Sequence, residues 1–218
     1  MARTLLLDLD GTLVDSAPDL AASLNRVLAP LDTPFTPAEI TPMIGDGIAA
    51  LVRRATAARG LPDSPEILRR FAEDYGDHAA ELTRPFPGVR EGMQALVAAG
   101  WRLAVCTNKP EAATRTLLAV LGLLPMLAAI GGGDSFPTHK PDPAHVLATL
   151  RRAGGTPDEA VAVGDHRNDV TAATGAGVPC IFAAWGYGDP AMARGAAAVA
   201  RGFPEVPALA EELLAARL

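Results

Sequence analysis

Two periodicities alternate along this chain. Short apolar runs at Leu5–Leu7, Trp101–Cys106, Met126–Ile130, Ala160–Val163 and Pro179–Ala183, most of them ending in polar or glycine-containing turns, read as buried strands. Between them, residues 89–99, 111–121, 143–153 and 168–175 carry apolar side chains at helical spacing, and a last helix is expected from about Pro207 to Leu218. The Ala-rich stretch Arg194–Val199 looks like one more short strand with its approach. Strands alternating with helices imply a parallel sheet covered on both faces, a Rossmann-like doubly wound α/β core.

The pattern changes after the first strand. Asp15 and Ser16 offer an N-cap for a helix to about Leu28, with Pro18 tolerated in its first turn. From there to Leu82 no strand pattern occurs, and residues 36–41, 47–59 and 64–82 are helical in spacing, separated by Gly and Pro. The expected organisation is therefore a core domain from residues 1–15 and 83–218 with a helical cap domain, residues 16–82, inserted after the first strand. Arg84-Pro-Phe-Pro-Gly88 reads as the returning linker.

Composition narrows the classes. With 218 residues, 49% of them hydrophobic and 20% charged, the chain can bury a substantial core. A formal charge of −6 leaves no basic stripe for nucleic acid or an anionic membrane, so neither is an expected partner, and any bound anion must be held locally. The longest apolar stretch, Leu117 to Ile130, is interrupted by Gly122 and Pro125 and is too short to span a bilayer. The N-terminus runs directly into the first strand without a signal-peptide pattern, so a cytoplasmic location is expected. Cys106 and Cys180 fall in predicted buried strands and read as packing residues. Seventeen arginines accompany only two lysines, Lys109 and Lys140, each in a loop beyond a strand or beside a proline. Such a bias suggests places where a compact, rotatable ammonium is needed, chance placement being the alternative.

The chemistry lies at the strand ends. Asp8 and Asp10, at i and i+2 before Gly11-Thr12, would leave the first strand at its carboxyl end on one side, a few ångströms apart. Two carboxylates that close need a cation between them or a shared proton, although Asp-x-Asp-Gly alone is also a common turn. The same sheet edge should receive Thr107-Asn108-Lys109, Lys140 and the pair Asp165 and Asp169. A hydroxyl with helix N-terminal amides makes an anion pocket, Lys140 adds a full charge, and Asp165 and Asp169 could complete a Mg²⁺ shell with Asp8; taken singly, either could be a helix cap.

These segments, Asp8-x-Asp10-Gly-Thr-Leu-Val-Asp-Ser16, Thr107-Asn-Lys, Lys140-Pro-Asp-Pro and Gly-Asp165-x-x-x-Asp169, match in order the four motifs of the haloacid dehalogenase superfamily, over nearly the whole chain. Within it, Met43-Ile-Gly-Asp-Gly47, Phe86-Pro-Gly88, Gly132-Gly-Asp134 and Trp185-Gly-Tyr187 are most similar to the phosphoglycolate phosphatase family. The resemblance implies a Mg²⁺-dependent phosphomonoesterase in which Asp8 is the nucleophile, giving an aspartyl-phosphate, and Asp10 the acid and base. It implies Mg²⁺ on Asp8, the Asp10 carbonyl and Asp165, with Asp169 behind them. Thr107, Asn108 and Lys140 would hold the phosphoryl group, Asn108 and Lys109 mainly as support without direct contact. In the cap, Gly45, Asp46, Gly47 and Arg53 are the implied specificity residues for a small phosphate ester such as 2-phosphoglycolate. Another small phosphate, such as a sugar phosphate, a nucleotide or pyrophosphate, is the alternative substrate; a hydrolytic dehalogenase, a phosphomutase and a phospho-accepting signalling protein are the more distant readings. Monomer and homodimer both remain open. Three positions depart from the family pattern: His166 beside Asp165, expected to turn outward, and the acids Asp46 and Asp142, unhelpful near an anionic substrate unless they point away.

Overall fold

A computed structural model describes residues 3–30 and 33–217. The first strand, β1 (Thr4–Leu7), is followed by a two-residue strand β2 (Val14–Asp15) and then by four helices: α1 (Ala17–Val27), α2 (Pro37–Ile40), α3 (Ile48–Ala58) and α4 (Pro65–His78). The chain returns through β3 (Arg84–Pro85) and alternates as α5 (Val89–Ala98), β4 (Arg102–Cys106), α6 (Glu111–Val120), β5 (Leu127–Gly131) and α7 (Pro143–Ala153). It closes with β6 (Ala160–Gly164), α8 (Arg167–Gly175), β7 (Cys180–Ala183), β8 (Ala198–Ala200) and α9 (Val206–Ala215). The last helix thus stops short of the expected end; Leu218, like Met1, Ala2, Leu31 and Asp32, lies outside the described residues.

The six longer strands form one parallel sheet in the order β5-β4-β1-β6-β7-β8. Alternation along β1 divides the core: Leu5 and Leu7 pack with Val89, Met93, Leu117 and Val206 of α5, α6 and α9, whereas Leu6 packs with Val146 and Leu150 of α7 and Val170 of α8. Both faces are covered, which is why the strands are apolar over most of their length. The strand order reverses at β1, flanked by β4 and β6, so the crevice where such sheets bind ligands opens at the carboxyl end of β1, directly at Asp8.

Helices α1 to α4 close around a separate apolar cluster that includes Leu20, Leu24, Ile40, Leu51, Phe71 and Tyr75. Two crossings join this helical unit to the sheet domain, and they are tied together. The expected linker contains β3, which pairs antiparallel with β2, Val14 opposite Pro85 and Asp15 opposite Arg84. Just inside, the buried Asp19 carboxylate accepts from the Leu82 and Thr83 amides and from Thr83 Oγ1 at 2.6–3.1 Å. No helix among the described residues is long and apolar enough to cross a membrane.

Candidate active site

Asp8 and Asp10 both line one cleft, and both lie just beyond the end of the strand. The strand ends at Leu7, and one further ladder bond, from the Asp8 amide to the Val163 carbonyl at 2.9 Å, holds Asp8 at the sheet edge. The chain then turns tightly, with the Leu13 and Val14 amides both donating to the Leu9 carbonyl, and this turn carries Asp10 to the Lys109 side of the cleft. Each acid consequently has its own lysine. Lys140 Nζ lies 2.7 Å from Asp8 Oδ1 and 2.5 Å from Asp169 Oδ1. Lys109 Nζ lies 3.2 and 3.3 Å from the two oxygens of Asp10. The only two lysines of the sequence are thus both buried in this site, at 3% and 4% exposure, each ion-paired with an aspartate. Lys109 makes direct contact with Asp10, where it was expected only as support.

Asp165 stands behind Asp8, its oxygens accepting from Thr12 Oγ1 at 2.9 Å and the Tyr187 amide at 2.8 Å. Gly11 is required here: its φ is +87°, and a Cβ on it would sit 2.3 Å from Asp165 Oδ2. Asp169 is a helix cap, accepting from the His166 amide in a capping box at the start of α8, and it also accepts from Lys140.

Asp8, Asp165 and Asp169 are buried, and each can offer an oxygen such that all three lie within 4.8 Å of one another. Burial pushes Asp8 up to about 6, against the pull of Lys140 and with the push of Asp169. Burial, then the charges of Asp8 and Asp169, pushes Asp165 up to about 8. Lys140 is itself held above the usual lysine range: burial opposes its charge, and Asp169 and Asp8 more than offset that. Three carboxylates with one ammonium leave the cluster short of positive charge, and hard oxygen donors in this number suit Mg²⁺. The residues present fit that ion.

A narrow cleft of about 30 Å³ opens beyond the acids, walled by Thr107, Asn108 and Lys109 on the sheet side and by Gly45, Gly47 and apolar residues such as Ile44 and Ile48 on the helical side. The buried Thr107 hydroxyl accepts from the Lys109 amide at 3.2 Å. Asn108 bridges the two units, its Nδ2 donating to the carbonyls of Gly45 and Lys140 at 3.0 Å each, while its buried Oδ1 has no partner. The acids that depart from the family pattern are each held by hydrogen-bond donors. Burial works against the charge of Asp46, but the Asn168 amide at 2.7 Å and the Arg54 guanidinium more than offset it and hold its carboxyl below the usual range. Asp142 caps α7 through the Ala144 amide at 2.8 Å. His166 does not turn outward: Nδ1 accepts from the Asn168 amide at 3.2 Å to cap α8, and the ring lies under Gly45, where a Cβ would come within 2.9 Å of it. Arg53 is exposed and is not brought to the cleft.

The aromatic loop after β7 closes the back of the site, with Trp185 Nε1 donating to the Thr12 carbonyl at 3.0 Å and Tyr187 Oη donating to Asp15 Oδ1 at 2.7 Å. The residue the pattern concealed is Tyr75, on α4, whose hydroxyl accepts from Lys109 Nζ at 2.6 Å. Phe71 and Tyr75, four apart on one helical face and stacked at 5.8 Å, read as core, and the signals in the sequence pointed to Lys109, the polar partner of Tyr75, without pointing to Tyr75 itself.

The family profile of haloacid dehalogenase-like hydrolases matches residues 5–183, a span that contains every acid and lysine of the site. The chain belongs to that family. Within it the chain is a hydrolase of the phosphatase kind, 40% identical over 210 residues to the phosphoglycolate phosphatase of Caulobacter vibrioides, covering 94% of this chain and 89% of that one. It is 45% identical over 188 residues to the phosphoglycolate phosphatase of Cereibacter sphaeroides (strain ATCC 17029 / ATH 2.4.9), covering 84% and 85%. Among solved structures, a protein of Haemophilus somnus 129pt described as a predicted phosphoglycolate phosphatase superposes with a TM-score of 0.87 at 30% identity, covering 95% of this chain and 97% of that one.

Proposed function

We propose that this member of the family is a Mg²⁺-dependent phosphomonoesterase, acting in the cytoplasm, that cleaves 2-phosphoglycolate to glycolate and phosphate. The observation that carries this reading is the pairing of two aspartates with two buried lysines at one cleft, beside a carboxylate cluster short of positive charge. Asp8 attacks phosphorus and becomes an aspartyl-phosphate; a carboxylate oriented by Lys140 is already a competent nucleophile without a base. Asp10 protonates the departing alkoxide and then takes a proton from the water that cleaves the acyl phosphate, with Ser16 Oγ, at 2.6 Å from Oδ1, fixing its orientation. Thr107, Asn108 and the Lys140 ammonium hold the phosphoryl oxygens and offset their charge. Asp8, Asp165 and the Asp10 carbonyl would hold Mg²⁺, with Asp169 supporting, and the bound ion supplies further charge compensation to the phosphoryl group.

Residues 16–82 act as a cap on a core of residues 1–15 and 83–218, hinged where β2 pairs with β3. The substrate carboxylate is read by backbone. Gly47 caps α3 without a side chain at the cleft wall, and Arg54 is occupied by Asp46 and the Met43 carbonyl. The test is phosphate release from a panel of 2-phosphoglycolate, sugar phosphates, nucleotides and pyrophosphate, with and without Mg²⁺. The expected result is Mg²⁺-dependent release with strong preference for 2-phosphoglycolate; a different preference under Mg²⁺ discards that substrate, and halide release from a haloacid without Mg²⁺ discards the phosphatase reading.

A further inference from the structure

Lys109 is a buried cation with its three protons assigned. Two point at Asp10, at 3.2 and 3.3 Å, and one goes to the Tyr75 hydroxyl at 2.6 Å, with the ammonium 4.3 Å from the centre of the Tyr75 ring. These contacts cross between the two units, because Tyr75 belongs to α4 and Lys109 and Asp10 to loops at the sheet edge. Tyr75 does not line the cleft that holds the two acids. It lines a separate cavity of about 320 Å³, bounded by Ala72 and Gly76 of α4 and by Ala112 and Ala113 of α6, and Lys109 borders both spaces. Tyr75 is therefore placed to act on Asp10 only through Lys109.

The rest of the Asp10 carboxyl group is fixed from one side, Ser16 Oγ donating to Oδ1. Ser16 precedes α1 at one crossing between the units, and Tyr75 lies near the end of α4, shortly before the other. Without Tyr75, the ammonium of Lys109 keeps a flexible four-carbon stem and one unsatisfied proton in a buried place, free to swing off the plane of the carboxyl group.

We propose that Tyr75 is a positioning residue by which the seated helical unit clamps Lys109 onto Asp10, so that the proton donor for the leaving group is oriented only when the unit is closed over the cleft. The inference rests on the phosphomonoesterase reading above and on Asp10 as proton donor. When the P–O bond breaks, its electron pair stays on the ester oxygen and the proton of Asp10 goes to that oxygen. A phosphoryl compound whose leaving group departs as a stable anion, such as an acyl phosphate, does not need this proton. Acetyl phosphate is such a compound, close in size to 2-phosphoglycolate, and it releases acetate.

The experiment compares kcat/KM for 2-phosphoglycolate and acetyl phosphate in wild type, Tyr75→Phe, Lys109→Met and the double variant. This parameter reports the steps up to departure of the leaving group and is not affected by the later hydrolysis common to both substrates. Tyr75→Phe should lower kcat/KM for 2-phosphoglycolate about tenfold, part of the roughly 10²–10⁴ that a positioned acid supplies, and change that for acetyl phosphate by less than about twofold. The ratio of the two does not depend on how much of a variant is folded. In the Lys109→Met background, Tyr75→Phe should add nothing beyond about twofold, since its only route to Asp10 is gone. Equal losses on both substrates, or effects of the two substitutions that multiply in full, overturn the proposal. Wild-type enzyme that acts on both substrates while the variants show equal losses removes this inference alone, whereas wild-type enzyme that releases phosphate from neither removes the proposed function and this inference with it.

Discussion

Asp165 gives the sharpest test of the charge balance in the site. Its carboxyl is pushed up to about 8 from an ordinary 3.8 by burial and by the charges of Asp8 and Asp169. An acid whose pKa is raised in the native state binds more protons there than in the unfolded chain, so it favours folding at low pH, and that contribution is lost as pH rises through the native value. Between pH 6.5 and 8, without a divalent cation, the loss from Asp165 is on the order of 2 kcal/mol. The melting temperature should fall by about 3–8 °C for a chain of this size.

His145 and His166 are held low by burial and contribute with the opposite sign, gaining stability as pH rises through the ordinary histidine value. That gain is largely complete above about pH 6.5 and is common to wild type and Asp165→Asn, so the difference between the two proteins isolates Asp165. The assay is urea unfolding of both proteins at pH 6.5 and pH 8 in EDTA, repeated with Mg²⁺. Wild type should lose stability over this interval in EDTA and regain it with Mg²⁺, while Asp165→Asn should show neither change. A wild-type stability that is flat or rises with pH relative to the variant, or that ignores Mg²⁺ at pH 8, would refute the account of Asp8, Asp165 and Asp169 as a cluster awaiting a cation.

Asp8→Asn should abolish phosphate release while urea unfolding shows a folded protein, and retained turnover would remove Asp8 as nucleophile. Lys140→Met strands two buried carboxylates and should cost about 3–5 kcal/mol in chemical unfolding, far more than removal of an exposed pair such as Arg69 with Glu73, which water and salt screen. Gly11→Ala forces both a positive φ and a 2.3 Å approach to Asp165 Oδ2; Mg²⁺ activation measured by titration should shift to higher concentration, by about tenfold or more for loss of a support to a ligand. Asp19→Ala removes the acceptor shared by Leu82 and Thr83 and should lower stability by about 2–3 kcal/mol, because buried amides at the crossing lose a charged partner.

Strand and helix identities were legible because both faces of the sheet are covered, which makes its strands apolar over most of their length and sets them apart from helices such as α7, whose pattern has a solvent side. The acids at the strand ends were legible for a related reason: the carboxyl edge is where a parallel sheet exposes backbone turns, so polar residues following apolar runs collect there. Even the two lysines stood out, since composition alone separates them from seventeen arginines. What the one-dimensional pattern could not carry was pairing between distant segments. That Asp8 goes with Lys140 and Asp10 with Lys109 is decided by the turn at Leu9–Val14, which gives successive acids of one sheet edge different neighbours. That His166 lies under Gly45, that Arg54 is spent on Asp46, and that Tyr75 of an apolar helical face reaches Lys109 all depend on how the helical unit sits on the sheet. Periodicity reports which side of an element is buried, whereas the partner that a buried polar group must find comes from another element, and only the folded chain brings the two together.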